Sequence, residues 1–260
     1  MKASYHTHTY RCKHAVGTEE EYIEHAIAEG LTILGFADHA PMPYKDGYVS
    51  KYKMLKEELD EYFSILLALK EKYKDKIEIK IGLEAEYYPS LFEESLELWR
   101  KYPIEYLILG QHFVPEESGE GSFYSGWATA EKERITAYAD AVITGMRSGV
   151  FSYLAHPDLI NYQGSDSAFI EGEFKRIIEE ANRLGIPLEY NLLGMSEGRS
   201  YPKPKFWSLA AELGAKVIIG CDSHSPERVA KKKEIRTAEK YLKKLGIEIL
   251  DEIELKKVLL

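Results

Sequence analysis

IEIKIGLEAE, residues 77–86, is an apolar run of the length of one buried strand, and it ends on Glu84. A hydrophobic core has no use for an ionised carboxylate, so the end of this run marks a place where the chain leaves packing for chemistry. Five further runs share the form: KASYHTH (2–8) ends on His6 and His8, TILGFADH (32–39) on His39, EYLILGQH (105–112) on His112, FSYLAH (151–156) on His156 and KVIIGCDSH (216–224) on Asp222 and His224. A lone histidine on an apolar segment is usually a hydrogen-bonded core residue. Six run ends carrying imidazole or carboxylate are a different signal, because these are the side chains that borderline divalent metals prefer.

Between the runs lie stretches with apolar residues three and four apart, which predict helices over 19–30, 50–74, 91–101, 128–148, 167–185, 203–214 and 226–246. With PLEYNL (187–192) as a further strand, the chain reads as seven βα units. Such alternation calls for a parallel sheet covered by helices, and seven units predict a distorted (β/α)7 barrel resembling a TIM barrel. The candidate ligands then fall at the C-terminal ends of the strands, the rim where such barrels place their chemistry. Thr18 followed by acidic residues is a helix N-cap, and Gly30, Gly149, Gly185 and Gly214 fall where helices end in a left-handed residue. Residues 6 and 224 share one site only if the chain closes on itself, so residues 1–260 are expected to form a single domain.

The formal charge of −9 disfavours a nucleic-acid binder, whose basic surface supplies most of its affinity. Bound cations would reverse the sign locally, which leaves phosphate substrates open to an acidic chain. Lys231, Lys232 and Lys233 read as a solvated helix face. Two cysteines, no N-terminal signal region and no apolar run near the ~18 residues of a membrane span predict a cytoplasmic protein with free thiols.

Strand parity refines the site. His6 with His8, and Asp222 with His224, are two apart and share a face, which turns Cys221 and Ser223 away. His14 lies in the loop YRCKHAVG (10–17), six residues after His8, within reach of the same rim. His25, inside EEEYIEHAIAEG (19–30), reads as a structural or surface helix residue, and Glu86 as a group that orients a ligand from behind Glu84.

In this order, HTH, His14, FADH, GLEAE, GQH, AHPD and CDSH resemble the motifs of the polymerase and histidinol phosphatase (PHP) superfamily across essentially the whole chain. The resemblance implies two to three divalent ions, Zn, Mn or Fe. It implies one ion held by His6, His8, Glu84 and Asp222, a second by Glu84, His112 and His156, and a third by His14, His39 and His224. Glu84 would then bridge two ions. HTHTYRCKHA and FADHAPMP further resemble the monofunctional histidinol-phosphate phosphatases of histidine biosynthesis. That match implies hydrolysis of L-histidinol phosphate to L-histidinol and phosphate by a metal-bridging hydroxide, with Glu84, Asp222 and Arg199 catalytic. Arg199, in LLGMSEGRSYP (192–202), matches a phosphate-holding arginine, a role suited to its planar two-pronged donor. After His156 the chain reads AHPDLINYQG (155–164), and its next arginine is Arg176, inside a predicted helix. The loop FVPEESGEGSFYSGW (113–127) offers Glu116, Glu117 and Glu120 to a cationic substrate, Glu116 and Glu117 foremost. The rival readings are a phosphoesterase or nuclease acting on another ester such as a nucleotide, and, in another class, a noncatalytic metal-stabilised interaction module.

Overall fold

The computed structural model describes residues 1–45 and 47–258. Seven parallel strands lie in chain order around a barrel: β1 (Ala3–Ser4), β2 (Ile33–His39), β3 (Glu78–Ala85), β4 (Tyr106–Leu109), β5 (Phe151–Leu154), β6 (Leu188–Asn191) and β7 (Val217–Gly220). Around them lie α1 (Glu19–Glu29), α2 (Leu59–Tyr73), α3 (Phe92–Trp99), α4 (Lys132–Arg147), α5 (Ser167–Leu184), α6 (Leu192–Glu197), α7 (Pro204–Glu212) and α8 (Lys232–Leu245). The expected alternation and strand count are present. Thr18 caps α1 through a reciprocal capping box with Glu21, and Gly30 and Gly185 cap α1 and α5 in the left-handed conformation.

The barrel is distorted at identifiable places. Register shifts between β4 and β5 at Leu107/Ile108, and β5 meets β6 through the single pair Leu154 and Leu188. β1 and β7 meet at the rim through a parallel bridge between Thr7 and Ser223. Ser223 accepts from the His8 amide at 2.9 Å and donates to the His6 carbonyl at 3.2 Å. The closing bridge is thus flanked by His6 and His8 on one side and by Asp222 and His224 on the other, so closure itself assembles ligands from the two ends of the chain.

Alternation along the strands divides two cores. Leu34, Phe36, Ile79, Ile81, Leu83, Leu107 and Leu109 pack against helix residues such as Ile23, Tyr62 and Leu66. The opposite faces fill the barrel with Ala3, Tyr5, Ile33, Ala37, Tyr106, Ile108, Tyr153, Ala155 and Ile218. Tyr106 crosses this interior to donate from its hydroxyl to the Tyr5 carbonyl at 2.7 Å. Ile253 and Leu255, beyond α8, pack onto the same interior cluster and plug the end of the barrel away from the rim. The double variant Ile253→Ala/Leu255→Ala is expected to lose about 1–2 kcal/mol per side chain and to melt roughly 5–10 °C lower. An unchanged melting temperature would show that the tail is not part of the core.

Several boundaries differ from expectation. The helix read over 50–74 begins at Leu59 after a 3-10 turn, because residues 50–55 run irregularly to bring Ser50 and Lys53 to Glu117. The helix read over 226–246 begins at Lys232, and the short α6 lies outside every stretch expected to be helical. Among the described residues, no helix is long and apolar enough to cross a membrane. Cys12 and Cys221 are both buried and free.

Candidate metal centre

Five imidazoles converge on one carboxylate. Glu84 Oε1 lies 3.0 Å from His156 Nε2, 3.5 Å from His6 Nε2 and 3.7 Å from His112 Nε2, while Oε2 lies 2.7 Å from His39 Nδ1 and 3.6 Å from His8 Nε2. Asp222 Oδ1 lies 3.1 Å from His8 Nε2 and 3.5 Å from both His6 Nε2 and His224 Nδ1. At the outer edge, His14 Nε2 and His224 Nε2 face each other at 3.0 Å. All nine residues named from the sequence are brought together at the rim.

The backbone is bent to achieve this. Ala3 and Tyr5 belong to the barrel interior, so the chain must turn between Tyr5 and His6 for His6 to join the site as well. β1 accordingly ends at Ser4, and His6 and His8 lie beyond regular strand. Tyr153 on β5 and Ala155 just beyond it face inward, and His156 follows directly, out of step with that alternation. It enters the site through a positive φ of 29°, and Asp222 has a φ of 50°, conformations costing of order 1–3 kcal/mol each. Gly110 and Gly220 leave room at the same level: a Cβ on Gly110 would fall on the Glu84 carboxylate, and one on Gly220 on that of Glu189.

Glu189 was not singled out in the sequence. Its Oε1 accepts from His6 Nδ1 at 2.8 Å, and its Oε2 accepts from the His156 amide at 3.1 Å and from Asn191 Nδ2 at 2.9 Å. Asn191 Nδ2 also reaches Asp222 Oδ2 at 3.0 Å. A carboxylate behind an imidazole fixes its tautomer and ring orientation, here leaving His6 Nε2 facing the centre. The available signal was a Glu and an Asn two apart, on the inward face of an otherwise apolar strand. Glu189→Ala is expected to weaken metal affinity about 10–100-fold with the fold retained, read by metal titration beside circular dichroism. Unchanged affinity would remove Glu189 from the site.

Asp38 and Lys53 were missed as well. Asp38 Oδ1 lies 3.5 Å from His8 Nδ1 and accepts from the His39 amide at 2.9 Å. Glu86 Oε1 lies 3.5 Å from His112 Nδ1 and is itself held by Lys53 Nζ at 2.8 Å, which fits its expected place behind a ligand. Cys12 holds His14 by accepting from Nδ1 at its carbonyl, 2.6 Å away. His25 sits on α1, half-buried and away from the cluster.

The charge state suits cations. Burial would raise the pKa of Glu84, but His39, His112 and His6 hold it well below the usual carboxylate range. Burial likewise opposes ionisation of Asp222, and His6 and His8 overcome it. Burial and then His8 push His224 down to about 3, and burial drives His39 well below the ordinary histidine value. Both are therefore neutral with a free lone pair. Burial opposes protonation of His8, yet the neighbouring Asp222 and Asp38 carboxylates bring it up to about 9, a proton that a bound metal would displace.

His6 Nε2, both ring nitrogens of His8, His156 Nδ1 and Glu84 Oε2 are buried without a hydrogen-bond partner. A buried polar atom left unpaired costs about 1–3 kcal/mol, so this many at one point need an occupant. Two donors bound to one tetrahedral zinc at about 2.0–2.1 Å stand roughly 3.3 Å apart, close to the spacings found here. His6, His8 and Glu84, or His6, His156 and Asp222, or His8, His39 and His224, are each placed to hold a metal ion.

Above the centre opens a cavity of about 600 Å³. His14, His39, His112, Asp222 and His224 form its floor, Tyr52, Phe113, Tyr124 and Trp127 an aromatic wall, and Glu197, Arg199 and Arg228 a charged one. Asp158 pins the Arg199 loop by accepting from Trp207 Nε1 at 3.0 Å and, through its carbonyl, from Lys203 Nζ at 2.8 Å. The expected substrate contacts Glu116 and Glu117 are not brought to the cavity. Glu117 is buried and saturated by Tyr44, Tyr48, Ser50 and Lys53, and Glu116 is held by Ser90 and Ser118. Both acids secure the loop instead. Arg176 pairs with Asp140 and Glu173 on the helical surface.

Known proteins share this plan. The chain is 29% identical to a protein of Schizosaccharomyces pombe, covering 98% of this chain and 90% of the relative, and 26% identical to one of Deinococcus radiodurans, covering 86% of each. Both are named "Probable histidinol-phosphatase". Its fold matches the histidinol phosphate phosphatase of Lactococcus lactis, crystallised with zinc, L-histidinol and phosphate, with a TM-score of 0.74 at 23% identity over 97% of this chain and 98% of that one. The PHP domain pattern matches residues 4–192, which takes in β1 through β6 and most of the ligand-bearing rim, and this chain belongs to the PHP domain family.

Proposed function

We propose that this protein is a metal-dependent phosphomonoesterase that hydrolyses L-histidinol phosphate to L-histidinol and phosphate, as one barrel domain over residues 1–260. The observation that carries the reading is the Glu84 carboxylate ringed by five imidazoles, three of which, His6, His8 and His156, keep buried ring nitrogens without a hydrogen-bond partner. The names of the relatives supply the substrate, and the cavity supports it. Its aromatic wall suits an imidazole.

In this reading His6, His8, Glu84 and Asp222 hold one divalent ion, Glu84, His112 and His156 a second, and His14, His39 and His224 a third, each Zn, Mn or Fe. Bound divalent ions supply an acidified water near neutral pH and neutralise charge on the phosphoryl group. Glu84 and Asp222 stay anionic and balance the cations, while Glu189 and Asp38 keep His6 and His8 aimed at the centre. Arg199 donates to phosphoryl oxygens from the wall. Tyr52 and Trp127 border the cavity with half-exposed rings.

Phosphate release from histidinol phosphate, a nucleotide and an aryl phosphate by metal-loaded protein tests the substrate. A preference of roughly a hundredfold or more for histidinol phosphate is expected, whereas equal slow turnover of all three would refute the assignment. Arg199→Ala is expected to raise KM about tenfold with metal content intact. Loss of metal in that variant would show that Arg199 serves the centre rather than the phosphate.

A further inference from the structure

Two guanidinium groups share one carboxylate at the edge of the cavity. Glu197, the last residue of α6, presents Oε2 to Arg199 NH2 at 2.7 Å and Oε1 to Arg228 NH1 at 3.0 Å. Arg199 follows α6 on the loop after β6, and Arg228 ends the 3-10 turn Pro226–Arg228 just beyond His224. All three residues line the cavity, and Glu197 and Asp222 are its only lining carboxylates among the described residues.

We propose that Arg199 and Arg228 are the two arms of a phosphate clamp, and that Glu197 fills the clamp in the free protein as a built-in counterion. The proposal rests on the phosphatase reading and adds a second substrate-contacting arginine to it. A phosphoryl group offers the same thing that the carboxylate offers here, two oxygens turned toward two separate guanidinium forks. The arms are free to exchange one partner for the other. Their side chains are 39% and 34% exposed, and besides Glu197 they hold only the Tyr201 hydroxyl and the Ser196 hydroxyl among the described residues, at 3.1 Å and 3.5 Å. Two cations around one anion leave an excess positive charge, which draws a dianion toward the histidine floor. A phosphate must nevertheless displace Glu197, so the carboxylate weakens phosphate binding while it holds the arms in register.

This gives effects of opposite sign. Inorganic phosphate binding to the metal-loaded full-length protein is measured by calorimetry for wild type, Arg228→Ala, Glu197→Gln and the remote surface variant Arg176→Ala, with metal content checked in each. Arg228→Ala is expected to weaken phosphate about fivefold to tenfold, Glu197→Gln to tighten it about threefold, and Arg176→Ala to leave it unchanged. If Arg228→Ala and Glu197→Gln both stay within twofold of wild type, the pair is a surface ion pair and the clamp is overturned. Weaker binding in Glu197→Gln overturns the counterion role, and a wild type that binds no phosphate overturns the whole proposal. Opposite shifts in a protein that fails to turn over histidinol phosphate leave the clamp standing and reject the substrate instead.

Discussion

Glu84→Gln is expected to lower kcat/KM for the phosphate ester roughly a thousandfold, about 4 kcal/mol, and to reduce the bound metal. The amide has the same shape as the carboxylate but carries no charge, and it turns an N–H donor toward imidazoles whose lone pairs should face a cation. His6, His8, His39, His112 and His156 all lie within 3.7 Å of the two carboxylate oxygens, so among the described residues no other lies against so many of the candidate ligands. Two adjacent ion positions depend on it in the proposed assignment. Elemental analysis beside steady-state kinetics reads both effects in one preparation. A Glu84→Gln protein with wild-type metal content and wild-type turnover would remove the bridging role altogether. Glu84→Asp is a useful companion, since it keeps the charge but withdraws it by one methylene. It should retain more metal than the amide and still turn over slowly.

Stripping the metals is expected to lower the melting temperature by about 10 °C or more, reversibly on adding a divalent ion back. One site occupied at a thousandfold over its dissociation constant adds about 4.1 kcal/mol to stability, and a chain of this size shifts about 2–4 °C per kcal/mol. The structural basis is the set of buried, unpartnered atoms on His6, His8, His156 and Glu84, together with the positive-φ backbone at His156 and Asp222. Without ions, their cost is met only by packing. Differential scanning calorimetry of chelated and reloaded protein measures the shift, and a difference under about 2 °C would mean that the site is preformed and stable without cations.

The alternation of strand and helix was legible because each strand is an apolar run with an abrupt polar end, and a parallel barrel buries both faces of its strands. Eight of the nine candidate ligands were legible for the same reason, since imidazole and carboxylate are anomalous at the end of such runs, whereas His14 lies in a loop and was found through its place in the order of motifs. What escaped notice acts through other residues. Glu189 lies within a strand rather than at its end, so the rule that found Glu84 passed over it. Lys53 was hidden by a helical pattern read from residue 50 in sequence, whereas the helix begins at Leu59 in space. Glu117 was read as a free acid because a sequence does not show that Tyr44, Tyr48, Ser50 and Lys53 will converge on it. Arg228 belongs to a turn after the last ligand, and only closure of β7 against β1 places that turn above the cavity. His156 is the subtler case. Strand parity alone would turn it away from the centre, and a left-handed backbone held by the Glu189 carboxylate brings it in.

Reconstitution of metal-free protein by stepwise addition of a divalent ion, with histidinol phosphate hydrolysis read at each equivalent, tests the central claim most directly. The stripped protein should be inactive, and activity should rise to a plateau at two to three equivalents per chain. Turnover that persists at wild-type rate in protein shown by elemental analysis to hold no metal would contradict it.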